Sequence, residues 1–95
     1  MHFHEKVYKD VTAPIIELCA LLLEEDELEQ HAFFSGLLPL LAEPIQEEQV
    51  LAAVIELSRC AFLGFQYSPM AALQIDQLLA QSIDLAHTMS AQGMH

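Results

Sequence analysis

The sequence predicts an all-α protein, a small four-helix bundle with up-down topology, and three observations support this fold class. No stretch alternates polar and apolar residues for long enough to form a strand. Four stretches carry apolar residues at helical spacing, and Pro, Gly or acidic residues separate them. The chain has 95 residues, of which 54% are hydrophobic, a composition typical of a folded chain. We therefore expect residues 1–95 to form a single helical domain.

The N-terminal residues precede the first predicted helix. Residues 1–11 mix charged and aromatic side chains without a clear period, so we expect a short arm or a frayed first turn. Thr12 can then cap the first helix, with Pro14 near the first helical position, where its missing N–H costs nothing. This helix is expected over about residues 13–26.

An acidic run over residues 24–27 separates the first two helices. Carboxylates at a helix C-terminus oppose the helix dipole, so some of them are better placed at the start of the second helix. We expect the second helix over about residues 27–38, with Gly36 and Pro39 weakening its end.

Pro44 can serve as the first residue of the third helix, because Glu47 and Glu48 follow in a first turn that favours negative charge. This helix is expected to reach about Leu63, where Gly64 suits a C-terminal cap. Its apolar side is expected to consist of Val50, Leu51, Val54, Leu57, Ala61 and Phe62.

The fourth helix has the clearest start signal, since Ser68 can act as N-cap directly before Pro69. We expect the helix to continue to about Gln92, with Gly93 as its stop. Its core-facing residues follow the 3, 4, 7 spacing of one helix face, and they are Ile75, Leu78, Leu79, Ser82, Leu85, Ala86 and Met89.

Three runs contain no polar side chain, and they cover residues 18–23, 50–55 and 60–65. A helix in a monomeric bundle buries only one side, so a helix that is apolar all round needs a partner. We therefore predict a dimer. The alternative is that some of these positions are singly exposed apolar residues, which are ordinary on protein surfaces.

The charge balance excludes two classes of partner. The chain has 14 acidic and 3 basic residues, for a formal net charge of −11. Phosphate contacts and anionic membrane surfaces require Lys and Arg, and here these are limited to Lys6, Lys9 and Arg59. Direct binding to nucleic acid or to a membrane is therefore not expected.

The two cysteines indicate a reducing compartment. Cys19 and Cys60 lie in separate apolar stretches without CxxC spacing, so we expect two reduced, buried thiols. No apolar run has the length or the flanking residues of an export signal, so the expected location is the cytoplasm.

Eight carboxylates between residues 24 and 48, with no Lys or Arg among them, are the main functional candidate. They serve either solubility alone or the steering of a basic protein partner. In the second interpretation the chain is a non-enzymatic protein–protein interaction module: an adaptor, a chaperone-like protein or an inhibitor. The expected partner-binding residues are Glu24, Glu25, Asp26, Glu27, Glu29, Phe33 and Phe34. The two phenylalanines point about 100° apart on a helix, so at most one needs to be in the core.

The alternative function is a small-ligand or metal-binding helical bundle. Asp84 and His87 have the i, i+3 spacing that lets two side chains share a ligand, and Glu56 is the candidate from another helix. His2 and His4 form a further pair of candidate ligands. The second Glu-x-x-His pair of di-iron bundles is missing, so no cofactor is predicted. Without an activated nucleophile or a Gly-rich phosphate loop, no enzymatic activity is predicted either.

Overall fold

A computed structural model describes residues 3–93 of the chain, and the side chains of residues 3–89. It confirms the all-α four-helix bundle, and no strand occurs in residues 3–93. The helical elements in chain order are α1 (Phe3–Val7), a π-helical turn (Tyr8–Thr12), α2 (Ala13–Glu24), α3 (Leu28–Ser35), a 3₁₀ helix (Leu38–Leu41), α4 (Glu47–Ser58), a second 3₁₀ helix (Arg59–Phe62) and α5 (Pro69–Gly93). α1, the π-helical turn and α2 form one continuous first helix, so the described residues contain four helices besides the two 3₁₀ helices.

The predicted N-terminal arm is wrong for the described residues, because the chain is helical from residue 3. Val7 and Val11 are fully buried and lie one helical turn apart, so this segment has a narrow core-facing side. Thr12 lies inside the helix with helical dihedral angles and makes no capping bond, so its predicted N-cap role is also wrong. In the sequence, two valines among charged residues are too few to show the helical spacing of apolar residues that would have predicted this helix.

Pro14 is accommodated inside the first helix by the π-helical turn that precedes it. A proline within an α-helix cannot donate to the carbonyl four residues earlier, and its ring crowds that carbonyl. The wider turn lies directly before the proline, and the N–H of Ala13 closes it by bonding to the carbonyl of Tyr8, five residues earlier. A local widening thus lets the helix continue where the sequence suggested a start.

A Schellman motif ends α2 and begins the turn to α3. The N–H of Glu27 bonds to the carbonyl of Leu22 at 2.9 Å, and the N–H of Asp26 bonds to that of Leu23 at 3.1 Å. Asp26 occupies the left-handed position of this motif, with φ at 61°. Glycine is the usual residue there, since a side chain at positive φ is strained.

The second and third predicted helices are both shorter than expected. α3 ends at Ser35, and Gly36 and Pro39 direct the chain into a turn and a 3₁₀ helix. Pro44 does not begin α4; it lies in a bend after a cis peptide bond, and α4 starts at Glu47. α4 also gives way to a 3₁₀ helix at Arg59, which leaves the predicted core residues Ala61 and Phe62 exposed.

α5 confirms its predicted start and core face. Ser68 accepts a hydrogen bond from the N–H of Ala71 at 3.1 Å through its hydroxyl oxygen, as expected of an N-cap. The predicted core-facing residues are buried or half-buried along the helix, including the hydroxyl of Ser82. α5 runs antiparallel to the first helix and packs against both α2 and α4.

The bundle covers most of two apolar runs without a second chain. In residues 18–23 only Ala20 and Leu23 are exposed, and in residues 50–55 only Ile55 is. Residues 60–65 differ, because Phe62 is 85% exposed. Two of the three apolar runs that predicted a dimer are therefore largely covered within a single chain.

Candidate partner-binding surface

Two connections meet at one end of the bundle, and we call this end the turn end (residues 23–29 and 63–73). The hydroxyl of Ser68 donates to the carboxylate of Glu25, with oxygen distances of 2.7 and 2.9 Å. The Nε2 of Gln30 donates to the carbonyl of Gln66 at 3.1 Å. The α2–α3 turn is therefore hydrogen-bonded to the connection between α4 and α5.

An aromatic cluster supports the turn end from inside. The ring of Phe33 lies 5.0 Å from that of Phe34 and 6.3 Å from that of Phe65, and both pairs are edge-on. Tyr67 contacts Phe34 and Phe65, and its hydroxyl donates to the carbonyl of Cys60 at 2.9 Å. Burial raises the pKa of Tyr67 to about 12, and the neighbouring Cys60 adds to this rise. The connection is thus held by ring packing as well as by hydrogen bonds.

Three of the predicted acidic partner residues are available at the turn end. Glu24, Asp26 and Glu29 are exposed. Glu27 is half-buried at the N-cap position of α3, where its side chain makes no capping bond. Glu25 is half-buried and bonded to Ser68, so it holds the two connections together and is not free to contact a partner.

Phe34 is wrong as a partner-binding residue, because its side chain is 0% exposed. It belongs to the core, where it packs against Phe33 and Tyr67. Phe33 is half-buried in the same cluster. The two phenylalanines therefore pack beneath the surface. Because their side chains point about 100° apart, the sequence did not indicate which of them belongs to the core.

Sequence reasoning missed the apolar part of the turn end. Leu23 and Leu28 flank the acidic turn and are 53% and 61% exposed, and Met70 and Leu73 in the first two turns of α5 are 61% and 60% exposed. The sequence contains one indication that Met70 and Leu73 are exposed: both fall outside the apolar stripe that forms the core-facing side of their helix. The candidate surface therefore combines exposed carboxylates with exposed aliphatic side chains.

The few cations of the chain lie outside the turn end. Lys6 donates to the carboxylate of Asp10 at 2.7 Å. This hydrogen bond and the negative charge of Asp10 raise the pKa of Lys6. Arg59, the first residue of the second 3₁₀ helix, pairs with Glu56 in the last turn of α4, with a shortest distance of 3.2 Å. Lys9 lies beside a surface groove between α2 and α5. The turn end itself contains no Lys, Arg or His.

The alternative ligand residues are not brought together as a metal site. Glu56 is engaged by Arg59, and Asp84 and His87 are exposed on α5. Among the described residues, no group of three or more His, Cys, Asp or Glu side chains is close enough to hold a metal ion. Of the N-terminal histidine pair, His2 lies outside the described residues.

Both cysteines are buried and unpaired, as predicted. Burial raises the pKa of the Cys19 thiol and that of the Cys60 thiol. A raised pKa keeps a thiol protonated near neutral pH, which makes it a poor nucleophile. The two residues therefore act as core side chains.

The fold and surface together describe a small helical bundle with an acidic, partly apolar end. Comparison with protein-family models, with curated proteins and with solved structures gave no match. Within residues 3–93, none of the helices has the length and apolarity needed to cross a bilayer.

Proposed function

We propose that this chain is a non-enzymatic protein–protein interaction module, acting as an adaptor, a chaperone-like protein or an inhibitor. One observation carries the proposal: exposed aliphatic side chains and exposed carboxylates share the turn end, where hydrogen bonds between two connections hold the backbone. Exposed apolar patches with polar rims are typical of protein-binding surfaces. The carboxylates would attract and orient a basic partner.

The first experiment is native mass spectrometry of the protein purified from its own host at endogenous level. The proposal expects a co-purifying protein. The same measurement is then made on the triple variant Glu24→Gln, Asp26→Asn, Glu29→Gln. Because each substitution keeps the side-chain shape, and Asn tolerates the left-handed backbone at residue 26, the fold is expected to persist while the complex weakens.

A matched control separates the turn end from net charge. The variant Glu43→Gln, Glu47→Gln, Glu48→Gln removes the same number of exposed carboxylates from the segment before α4 and from the first turn of α4. We expect it to retain the complex. Equal loss in both triple variants would assign the carboxylates to solubility and contradict the proposal. Complex formation through the turn end should also weaken steeply with added salt, since rim charges are screened.

We also propose that the chain forms a dimer through the outer side of α4. Ile55 and Phe62 are seven residues apart, which places them on one side of α4 and its 3₁₀ extension, and both are exposed. Arg59 and Glu56 form an ion pair on the same segment, so a twofold contact there would bring both signs of charge together.

Light scattering at micromolar concentration tests this contact. The proposal expects twice the mass of the chain for the wild type and a monomer for Phe62→Ser. The control is Ile83→Ser, which changes another exposed apolar residue and should leave the dimer intact. A monomeric wild type would contradict the proposal.

A cytoplasmic location is proposed with this function. The two buried, unpaired thiols support a reducing compartment, since paired cysteines are usual where oxidation is possible. Trapping free thiols in a host lysate, followed by unfolding and mass measurement, should show both cysteines reduced. A disulfide or another oxidised form would contradict this location.

A further inference from the structure

The aliphatic residues of the turn end are divided between its two connections. Leu23 and Leu28 lie on the α2–α3 hairpin, and Met70 and Leu73 lie on α5. Each of the four side chains is more than half exposed. Exposed carboxylates at residues 24, 26 and 29 lie among them. An occupant of this surface must therefore cover apolar area and neutralise negative charge at the same time.

The register of α5 against α2 places these residues on neighbouring stretches. Ser68 bonds to Glu25, and further along, Glu17 lines one groove with Gln74 and Gln77. Residues 70–73 of α5 are consequently level with residues 20–24 of α2. Glu24 and Ala20 are exposed on this part of α2, so the first turns of α5 and the end of α2 present aliphatic and acidic residues side by side.

A second copy of the chain fits this surface poorly. A twofold contact through the turn end would place the carboxylates of one copy against those of the other. The turn end has no Lys, Arg or His to offset them. Like charges brought together at an interface cost several kcal/mol. The occupant must therefore supply positive charge.

The shape of the surface favours a helix as the occupant. The apolar residues lie on helices and a helical turn, whose backbone groups are already bonded within the helices, so an added strand would find no edge to pair with. An amphipathic helix can instead place one apolar face against Met70 and Leu73, with the exposed Ala20 and Glu24 of α2 beside them. Methionine adapts its shape to different apolar partners, and Met70 lies within this set.

We propose that the turn end, taken as the partner-binding surface of the function proposed above, binds a cationic amphipathic α-helix of another protein. The apolar stripe of that helix covers Met70 and Leu73. Its Lys and Arg residues lie against Glu24, Asp26 and Glu29. The partner class is thus a basic, helix-forming segment with apolar residues at i, i+3, i+4 and i+7 spacing.

The test uses a fluorescent peptide of about 18 residues with leucines at helical spacing and lysines elsewhere. Its control has the same composition in an order that has no apolar face. Anisotropy with the full chain is measured at about 20 and about 150 mM salt. The proposal expects the amphipathic peptide to bind at least about tenfold more tightly than the scrambled one at the higher salt. Salt screens the charge contacts of both peptides, whereas only the amphipathic peptide can bury an apolar face. Equal binding of the two peptides would overturn the inference.

Variants locate the binding surface. Met70→Ser with Leu73→Ser should weaken amphipathic-peptide binding about tenfold, because two apolar contacts are lost. The matched control is Ile16→Ser with Ile83→Ser, which alters two exposed isoleucines outside the turn end and should change the affinity by less than about twofold. Circular dichroism verifies that all variants are helical. An equal loss in the control pair would overturn the assignment.

The outcomes separate this inference from the function on which it rests. If the peptide does not bind while the native complex still depends on Glu24, Asp26 and Glu29, the partner is not a cationic helix and the inference alone is wrong. If the native complex is insensitive to those carboxylates, the proposed surface fails and the inference fails with it. If Met70→Ser with Leu73→Ser changes self-association in place of peptide binding, the occupant is a second copy.

Discussion

Two apolar runs of six residues, 18–23 and 60–65, differ in how far this bundle buries them. In the first run, Leu18, Cys19 and Leu22 are buried between α3 and α5. In the second run, Ala61, Phe62 and Leu63 face outward. The first run is regular α-helix with neighbours on two sides, whereas the second is a 3₁₀ helix and a turn at the end of the bundle. Local apolarity therefore does not decide burial; the number of neighbouring helices does.

The largest expected effect compares two phenylalanines. Phe34→Ala should lower the free energy of unfolding by about 3–5 kcal/mol, because a fully buried ring leaves a cavity. Phe62→Ala should change it by less than about 0.5 kcal/mol, measured at a concentration too low for self-association. Urea denaturation gives both values. A large loss for Phe62 in the monomer would break the contrast between the two runs.

Adjacent leucines at the end of the first run give a sharper comparison. Leu22 is fully buried and Leu23 is 53% exposed. Leu22→Ala should cost about 2–5 kcal/mol, and Leu23→Ala less than about 1 kcal/mol. Both substitutions keep the helix propensity high, so the difference reports burial alone. Similar losses would mean that the bundle also covers Leu23.

The hydrogen bonds of Ser68 join the start of α5, just after the second run, to the α2–α3 turn. Ser68→Ala removes the N-cap of α5 and leaves the carboxylate of Glu25 without its hydroxyl partner. The expected loss is about 1–2 kcal/mol. Amide hydrogen exchange should become faster in the first turn of α5. Ser58→Ala is the control, since the exposed Ser58 hydroxyl bonds only within its own helix, and its loss should be smaller.

High pH should loosen the same connection. The folded-state pKa of Tyr67 is raised from 10.0 to about 12, so the folded state favours the neutral phenol. Its contribution to stability is complete below pH 10 and is lost as the pH rises towards 12. The buried thiols, whose pKa values are also raised, act in the same direction. Unfolding measured across this window should be less steeply pH-dependent for Tyr67→Phe, and equal slopes would contradict the role of Tyr67.

The smallest effect on the free energy of unfolding is expected in the turn that follows the first run. Asp26→Gly should raise the free energy of unfolding by up to about 1 kcal/mol, because glycine adopts positive φ without strain. Glu24→Gly, two residues earlier and still in α2, should instead cost about 1 kcal/mol. Thermal melting distinguishes the two. A loss for Asp26→Gly would show that the aspartate side chain stabilises the turn.

The sequence by itself determined the fold class and the features that depend on local chemistry. The start of α5 at Ser68 and Pro69, its core stripe and the burial of both cysteines followed from capping rules, helical spacing and polarity. These features are set within one or two helical turns of chain. The acidic turn was also visible, because charge is a property of composition.

Only the tertiary structure decided which side chains share the candidate surface. Phe34 belongs to the core because Tyr67, 33 positions further along the sequence, packs against it. Glu25 is a structural contact because Ser68, 43 positions further along, bonds to it. In the helix at residues 3–12, the π-helical turn packs against α5 and Val7 and Val11 are fully buried, which local propensity alone could not indicate. Burial depends on contacts between distant segments, and a helical period specifies which face is apolar without specifying which neighbour covers it.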